Sequence, residues 1–261
     1  MKNISIALWA EYMKFRKSKV FVTTLIVFTL IPLMIGLMMF VSRNPDIASK
    51  LGLIGTKAKM FGENDWKGYL DLMTQVIASI GLLGFGFVTA WVFGCEHNDR
   101  TMKDILALPV GRISIVIAKF IITFTWCLIL AVIAFSVGIG IGLIIDMPGW
   151  SPAMFYDFSR SFFITSFFTL FLCSPVAYIT GYTRGIIAPL GFVLLTMIFA
   201  QFISLVGLGP YFPWAIPGLY SVAKDEPGFQ LHLASYFILA LTFLLGYWGT
   251  IHWWQHADHN R

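Results

Sequence analysis

The chain has 261 residues, of which 58% are hydrophobic and 12% are charged, and its formal net charge is +5 at pH 7. Soluble globular domains carry about 25% charged residues, so this composition excludes a soluble enzyme and indicates an integral membrane protein. The apolar runs are continuous rather than alternating, which excludes a transmembrane β-barrel and predicts an all-α fold in one membrane domain, 1–261.

The first predicted element is an N-terminal helix over residues 4–19. Leu8, Tyr12 and Phe15 fall on one face of this helix, and basic residues such as Lys14 fall on the other. This pattern is typical of a helix that lies in the membrane interface. A basic segment that only fixes the topology is the alternative. The next apolar run is too long for the core of a secretory signal, so no cleavage is expected.

Six apolar stretches are long enough to cross the hydrocarbon core, which takes about 20 helical residues. The predicted spans cover about 20–42, 73–95, 113–145, 161–181, 185–206 and 231–254. The third span is long, and we expect it to be tilted or kinked. The distribution of Lys and Arg predicts a multi-pass protein of the plasma membrane with both termini in the cytoplasm.

A short charged segment joins the second and third spans, and it predicts a helix at about 99–108. Thr101 and Asp104 fit a capping box at its start, and Pro109 ends it. A helix this short has little intrinsic stability. Docking of the helix against a partner or the membrane surface would explain why the chain keeps so short a helix.

This segment resembles the loop between the second and third spans of type-2 ATP-binding-cassette (ABC) exporter permeases. That loop has an acidic residue at the end of the second span, Arg-Thr, a short helix, Leu-Pro, and then an Arg and a Lys. The matching residues are Glu96, Arg100, Thr101, Leu108, Pro109, Arg112 and Lys119. The resemblance covers nearly the whole chain, including the six spans and the external "YFPWAIPG". In having no large external domain, the chain resembles the permeases of bacitracin and lantibiotic resistance.

The resemblance implies that residues 99–108 form a coupling helix seated in a cleft of a separate ATPase subunit. Arg100, Lys103 and Asp104 would be its polar contacts. Glu96 and Arg112 are expected to pair across the base of the second and third spans. The implied partners are a nucleotide-binding subunit that holds ATP and Mg, a second permease copy in a homodimer or heterodimer, and the lipid membrane; no nucleic acid is expected.

A departure from the family pattern lies between the fourth and fifth spans. The loop "GYTRG" is very short and leaves little room for a second coupling contact beyond Arg184.

The function that follows from the resemblance is ATP-driven export, or extraction from the membrane, of an amphipathic or lipid-linked compound or a peptide antibiotic. The sequence has no G-x-x-x-x-G-K-[ST] loop, so the chain is expected to be non-catalytic. External residues 207–230 are rich in Pro, Gly and aromatic side chains. They are expected to form re-entrant pieces or an aromatic belt with turns. Tyr211, Phe212 and Trp214 would flank the exit.

Two other functions stay open. Ion-coupled transporters bury charged residues in their spans, and these spans carry almost none in their interiors, although Ser174-Pro175 and Ala188-Pro189 would suit broken helices. A sensory or scaffold subunit with the permease fold is the other alternative.

Other residue types give weaker signals. His252, His256 and His259 align on one helical face as metal ligands or as part of an interfacial tail. The three cysteines are expected to be small hydrophobic residues without a disulfide or metal. Two glycine groups predict close helix contacts, within one chain or between copies: Gly81, Gly84 and Gly86, and Gly138, Gly140 and Gly142.

Overall fold

The computed structural model describes most of the chain as helices. The described residues are 2–44, 65–98, 101, 110–222 and 231–256. None of them lies in a β-strand, which confirms the predicted all-α fold. The predicted coupling helix, 99–108, lies outside the described residues except for Thr101.

Nine α-helices and two 3₁₀ turns make up the described part of the chain. The helices are α1 (Lys2–Lys17), α2 (Lys19–Arg43), α3 (Trp66–Asn98), α4 (Arg112–Ile144), α5 (Pro152–Phe171), α6 (Ser174–Thr183), α7 (Ile187–Leu205), α8 (Ile216–Val222) and α9 (Leu233–His256). The 3₁₀ turns, Gly209–Tyr211 and Pro213–Ala215, lead from α7 into α8.

The described residues include six helical segments long and apolar enough to cross a membrane, as predicted. They are α2, α3, α4, α5 together with α6, α7, and α9. Two of them begin earlier than the predicted spans, at Trp66 for α3 and at Pro152 for α5. Charged residues near both starts lower the local hydropathy, so hydropathy alone misses them. Ser151 caps α5 through the backbone N–H of Met154, at 3.2 Å.

Proline breaks the fourth span but leaves the fifth intact. Pro175 stands in the first turn of α6, and a two-residue turn separates that helix from α5. Ser174 donates its hydroxyl hydrogen bond to Phe243 O of α9, at 2.9 Å. Pro189 lies in the first turn of α7, where a missing N–H costs nothing. The third predicted span, α4, is one unbroken helix of 33 residues.

Helix α3 is the centre of the bundle and contacts α2, α4, α5, α6, α7 and α8. Its glycines admit large side chains from neighbouring helices: Gly84 faces Phe28, and Gly86 faces Val193. On α4, Gly142 faces Trp66, whereas Gly140 faces open space. Most of these glycines therefore serve packing within one chain.

Helices α6 and α9 approach each other closely at Gly246. A Cβ on Gly246 of α9 would overlap the backbone of Ser174 and Pro175 at the break in the fourth span. Only glycine fits there without separating the two helices.

We predict that Gly246→Ala destabilises the protein by about 1–3 kcal/mol, because the added methyl group meets backbone that cannot rotate away. Thermal unfolding in detergent micelles measures this loss. Gly191→Ala on α7 is the matched control, since a Cβ there meets nothing within 4 Å. Equal losses in the two variants would contradict the packing explanation.

Candidate functional site

Four charged side chains from three helices meet at one end of the bundle. Glu11 and Lys14 come from α1, Glu96 from α3 and Lys119 from α4. We call these four residues the charge cluster. The formal charges of its two carboxylates and two ammonium groups cancel.

The two lysines bridge the two carboxylates. Lys119 Nζ lies 2.5 Å from Glu96 Oε1 and 3.3 Å from Glu11 Oε1. Lys14 Nζ lies 2.7 Å from Glu96 Oε1 and 3.2 Å from Glu11 Oε1. Each carboxylate thus contacts both cations, and the cluster ties α1, α3 and α4 together.

The charge cluster is buried on its inner side. Lys119 is 0% exposed, Glu96 1% and Glu11 6%, whereas the Lys14 side chain is 36% exposed. Charges that leave water at such depth are stable only when they are paired and hydrogen-bonded. Lys119 meets this requirement with a further hydrogen bond to Val92 O, at 2.7 Å.

Aromatic rings surround the Lys119 ammonium group. Its Nζ lies 5.9 Å from the centroids of both Phe93 and Trp254, which is within the range of cation–π attraction. Because Trp254 belongs to α9, this contact brings the last span to the charge cluster.

Local sequence explains how α1 joins the cluster. Its buried residues are Ala7, Glu11 and Phe15, one helical turn apart. The ring of Phe15 packs against that of Trp126 of α4, with ring centroids 5.0 Å apart. Of the residues predicted to share one face, Phe15 is buried and Tyr12 is exposed, and Glu11 is buried beside them. The placement of α1 in the membrane interface stays a prediction.

The expected pair between Glu96 and Arg112 is not formed. Arg112 instead donates to the backbone carbonyls of Gln255, at 3.0 Å, and Trp254, at 3.4 Å. These carbonyls lie in the last turn of α9, where they lack helical partners and carry the negative end of the helix dipole. Lys119 stands two turns deeper in α4 and takes the place expected for Arg112.

Of the other predicted contact residues, only Thr101 lies in the described part of the chain. Thr101 donates its backbone N–H to Glu96 O, at 3.0 Å. The remaining predicted contact residues lie outside the described part of the chain: Arg100, Lys103, Asp104, Leu108 and Pro109.

Sequence reasoning did not identify Glu11 and Lys14 as site residues, and it treated the interiors of the spans as almost free of charged residues. A usable signal was present. Glu11 is the only acidic residue among residues 1–45, and it lies one turn from both Ala7 and Phe15 on an apolar stripe. Lys119 likewise interrupts an otherwise apolar helix.

At the opposite end, the described part of residues 207–230 folds into short helical pieces. The two 3₁₀ turns carry Tyr211, Phe212 and Trp214 and lead into α8, which packs against α3 and α5. Tyr211 is 59% exposed. Trp214 packs against Phe212 and Phe192, with ring centroids 5.5 and 5.4 Å apart.

The histidine and cysteine residues show ordinary packing. His252 and His256 stack with ring centroids 4.3 Å apart, and His259 lies outside the described residues. All three cysteines are buried and unbonded to one another.

We predict that Glu96→Gln and Lys119→Met each cost about 3–5 kcal/mol of stability, because each leaves a buried charge without its main partner. The double variant should lose clearly less than the sum, since it removes both charges together. Thermal unfolding in detergent measures the three losses. Lys17→Met, on the exposed side of α1, is the control and should change little. Additive losses would contradict a coupled pair.

Comparison with known proteins places this architecture in a family. Residues 7–201 match the family model described as "ABC-2 family transporter protein". The chain is also 26% identical, over 197 residues, to the "Bacitracin transport permease protein BCRB" of Bacillus licheniformis, and the match covers 73% of this chain and 91% of that protein. The family match spans well over half of the sequence, and the chain therefore belongs to the ABC-2 transporter family.

Proposed function

We propose that this chain is the permease subunit of an ATP-driven exporter. Its cargo is an amphipathic or lipid-linked compound or a peptide antibiotic, and a separate subunit that holds ATP and Mg hydrolyses the nucleotide. The family match and the similarity to a bacitracin permease support this function. The observation that carries the mechanism is the charge cluster, because it fastens both ends of the segment between α3 and α4.

The charge cluster gives the coupling segment a stiff base. Glu96, at the end of α3, is tied to α1 and α4, and Arg112, at the start of α4, is tied to the end of α9. A force on residues 99–108 would therefore act on four helices together. We place the ATPase contact on that segment, with Arg100, Lys103 and Asp104 as its polar contacts.

The proposed topology puts the charge cluster at the cytoplasmic side. The same end of the bundle carries Lys14, Lys17, Arg112 and Arg184, which suits the positive-inside rule. Both termini then lie in the cytoplasm, and Tyr211, Phe212 and Trp214 lie on the external side. A second permease copy, the same or a related chain, completes the transport pathway.

Ion-coupled transport is less well supported by the buried charges. Lys119 stands two turns, or about 10 Å, from the start of α4, near one end of the helix rather than at its middle. Its charge is already matched by Glu96 and Glu11. Coupling residues of secondary transporters lie near the bilayer midplane. The charge cluster is better suited to hold helices than to carry ions.

We predict that reversing two charges, Arg100→Glu with Lys103→Glu, uncouples the permease from its ATPase, because both side chains would contact that subunit. Co-purification from native membranes in mild detergent should recover an ATPase subunit with the unaltered chain and much less of it with the variant. ATP-dependent uptake of bacitracin into inverted vesicles should fall at least tenfold.

Lys17→Glu is the control for a general loss of positive charge, and it should retain the partner and transport. Normal transport by the double reversal, or a chain that purifies without any ATPase subunit, would overturn the proposal.

We also predict that Tyr211→Ala with Phe212→Ala lowers transport severalfold while the ATPase subunit stays bound, because these residues are proposed to flank the exit. Vesicle uptake and co-purification separate the two effects. Tyr156→Ala removes another exposed aromatic ring, from α5, and serves as control. Unchanged uptake by the double variant would remove these residues from the exit.

A further inference from the structure

A cavity of about 340 Å³ lies between α3, α7 and the segment that contains α8. It is formed within one copy of the chain. Its apolar walls include Leu82, Met197 and Leu219. The size is that of a small-ligand pocket.

Polar side chains converge on this cavity. They come from all three of its walls: Gln75, Ser79, Gln201, Ser204, Trp214 and Ser221. Two of the four glutamines of the chain, Gln75 and Gln201, thus lie inside spans and face one space. Polar residues at membrane depth are costly, and they commonly mark functional positions.

Several of these groups have hydrogen-bonding capacity to spare. The indole N–H of Trp214 is buried and has no hydrogen-bond partner among the described residues. The hydroxyl groups of Ser79, Ser204 and Ser221 donate to carbonyls of their own helices, which leaves their oxygens free to accept. The cavity therefore offers both donors and acceptors.

The described residues that line the cavity are uncharged. Among the described residues that line it, none is Lys, Arg, Asp or Glu. A phosphate or pyrophosphate group normally needs cationic side chains or several convergent backbone N–H groups. Amide and hydroxyl groups suit the glutamine amides and the indole N–H much better.

The depth of the cavity fits an amphiphile. Gln201 stands about one turn from the external end of α7, and Gln75 about two to three turns from the external end of α3. Both glutamines are exposed at the bundle surface, whereas Ser221 is buried. A molecule in the outer leaflet could insert its polar group while its apolar part stays in lipid.

We infer that this cavity binds the uncharged amide or hydroxyl head group of the transported amphiphile. The inference deepens the proposed function and rests on it, since it assigns the head-group class of the cargo. Gln75, Gln201 and Trp214 are the hydrogen-bonding residues of the site.

Photolabelling of the permease alone in phosphatidylcholine nanodiscs tests the site. The probe is an N-acyl glucamine with a diazirine in its acyl chain, and its counterpart is an alkyl phosphate with the same chain. The glucamine should label peptides of α3, α7 and α8. Gln75→Leu and Gln201→Leu should each lower that labelling about fivefold, as expected for one lost neutral hydrogen bond.

Gln255→Leu, an exposed glutamine in the last turn of α9, is the matched control and should label normally. Trp214→Phe keeps an aromatic ring at this position but removes the indole N–H together with part of the ring system, so it should also weaken labelling. Equal labelling by the alkyl phosphate, or no effect of the three cavity variants, would overturn the inference.

A second arm separates cargo from a resident lipid. With the ATPase subunit bound, ATP and Mg should lower the glucamine labelling if the site holds transported molecules. Labelling that persists during turnover would overturn the assignment to the cargo and identify a resident lipid. ATP-driven transport without any labelling of the cavity would refute this site and leave the proposed function standing, whereas labelling without ATP-driven transport would refute the function.

Discussion

The ammonium group of Lys119 sets the geometry of one end of this molecule. It is fully buried, so its charge must be neutralised and its hydrogens bonded inside the protein. Glu96 and Glu11 provide the carboxylates, and Val92 provides a carbonyl. These contacts fix how α1 lies against α3 and α4. The two ends of the segment between α3 and α4 therefore start from a defined position.

Much of the fold follows from local sequence. Length and hydropathy are enough to place six membrane-crossing helices, because a span must satisfy its own backbone and hide it from lipid. Helix ends are harder to predict. Charged residues near the starts of α3 and α5 keep these starts outside the apolar run. The break at Pro175 packs closely on Gly246, which is remote in sequence.

The candidate site could be predicted only in part. Glu96 stands out because it is acidic at the end of a span, and the family resemblance draws attention to it. Its partner depends on which of several basic residues reaches it across two helices, and sequence distance favoured Arg112 over Lys119. The carbonyl end of α9, which holds Arg112, is remote in sequence and gives no local signal. Long-range pairing of this kind needs the three-dimensional arrangement.

The order of the charge cluster along the chain bears on how the protein is made. A lysine inserted alone into a membrane helix is unfavourable. Glu11 and Glu96 both precede Lys119, so both carboxylates have been synthesised when that lysine reaches the membrane. Helices α3 and α4 can then enter the bilayer as a hairpin whose opposite charges already face each other. The order of synthesis thereby supplies the partners of the lysine before the lysine needs them.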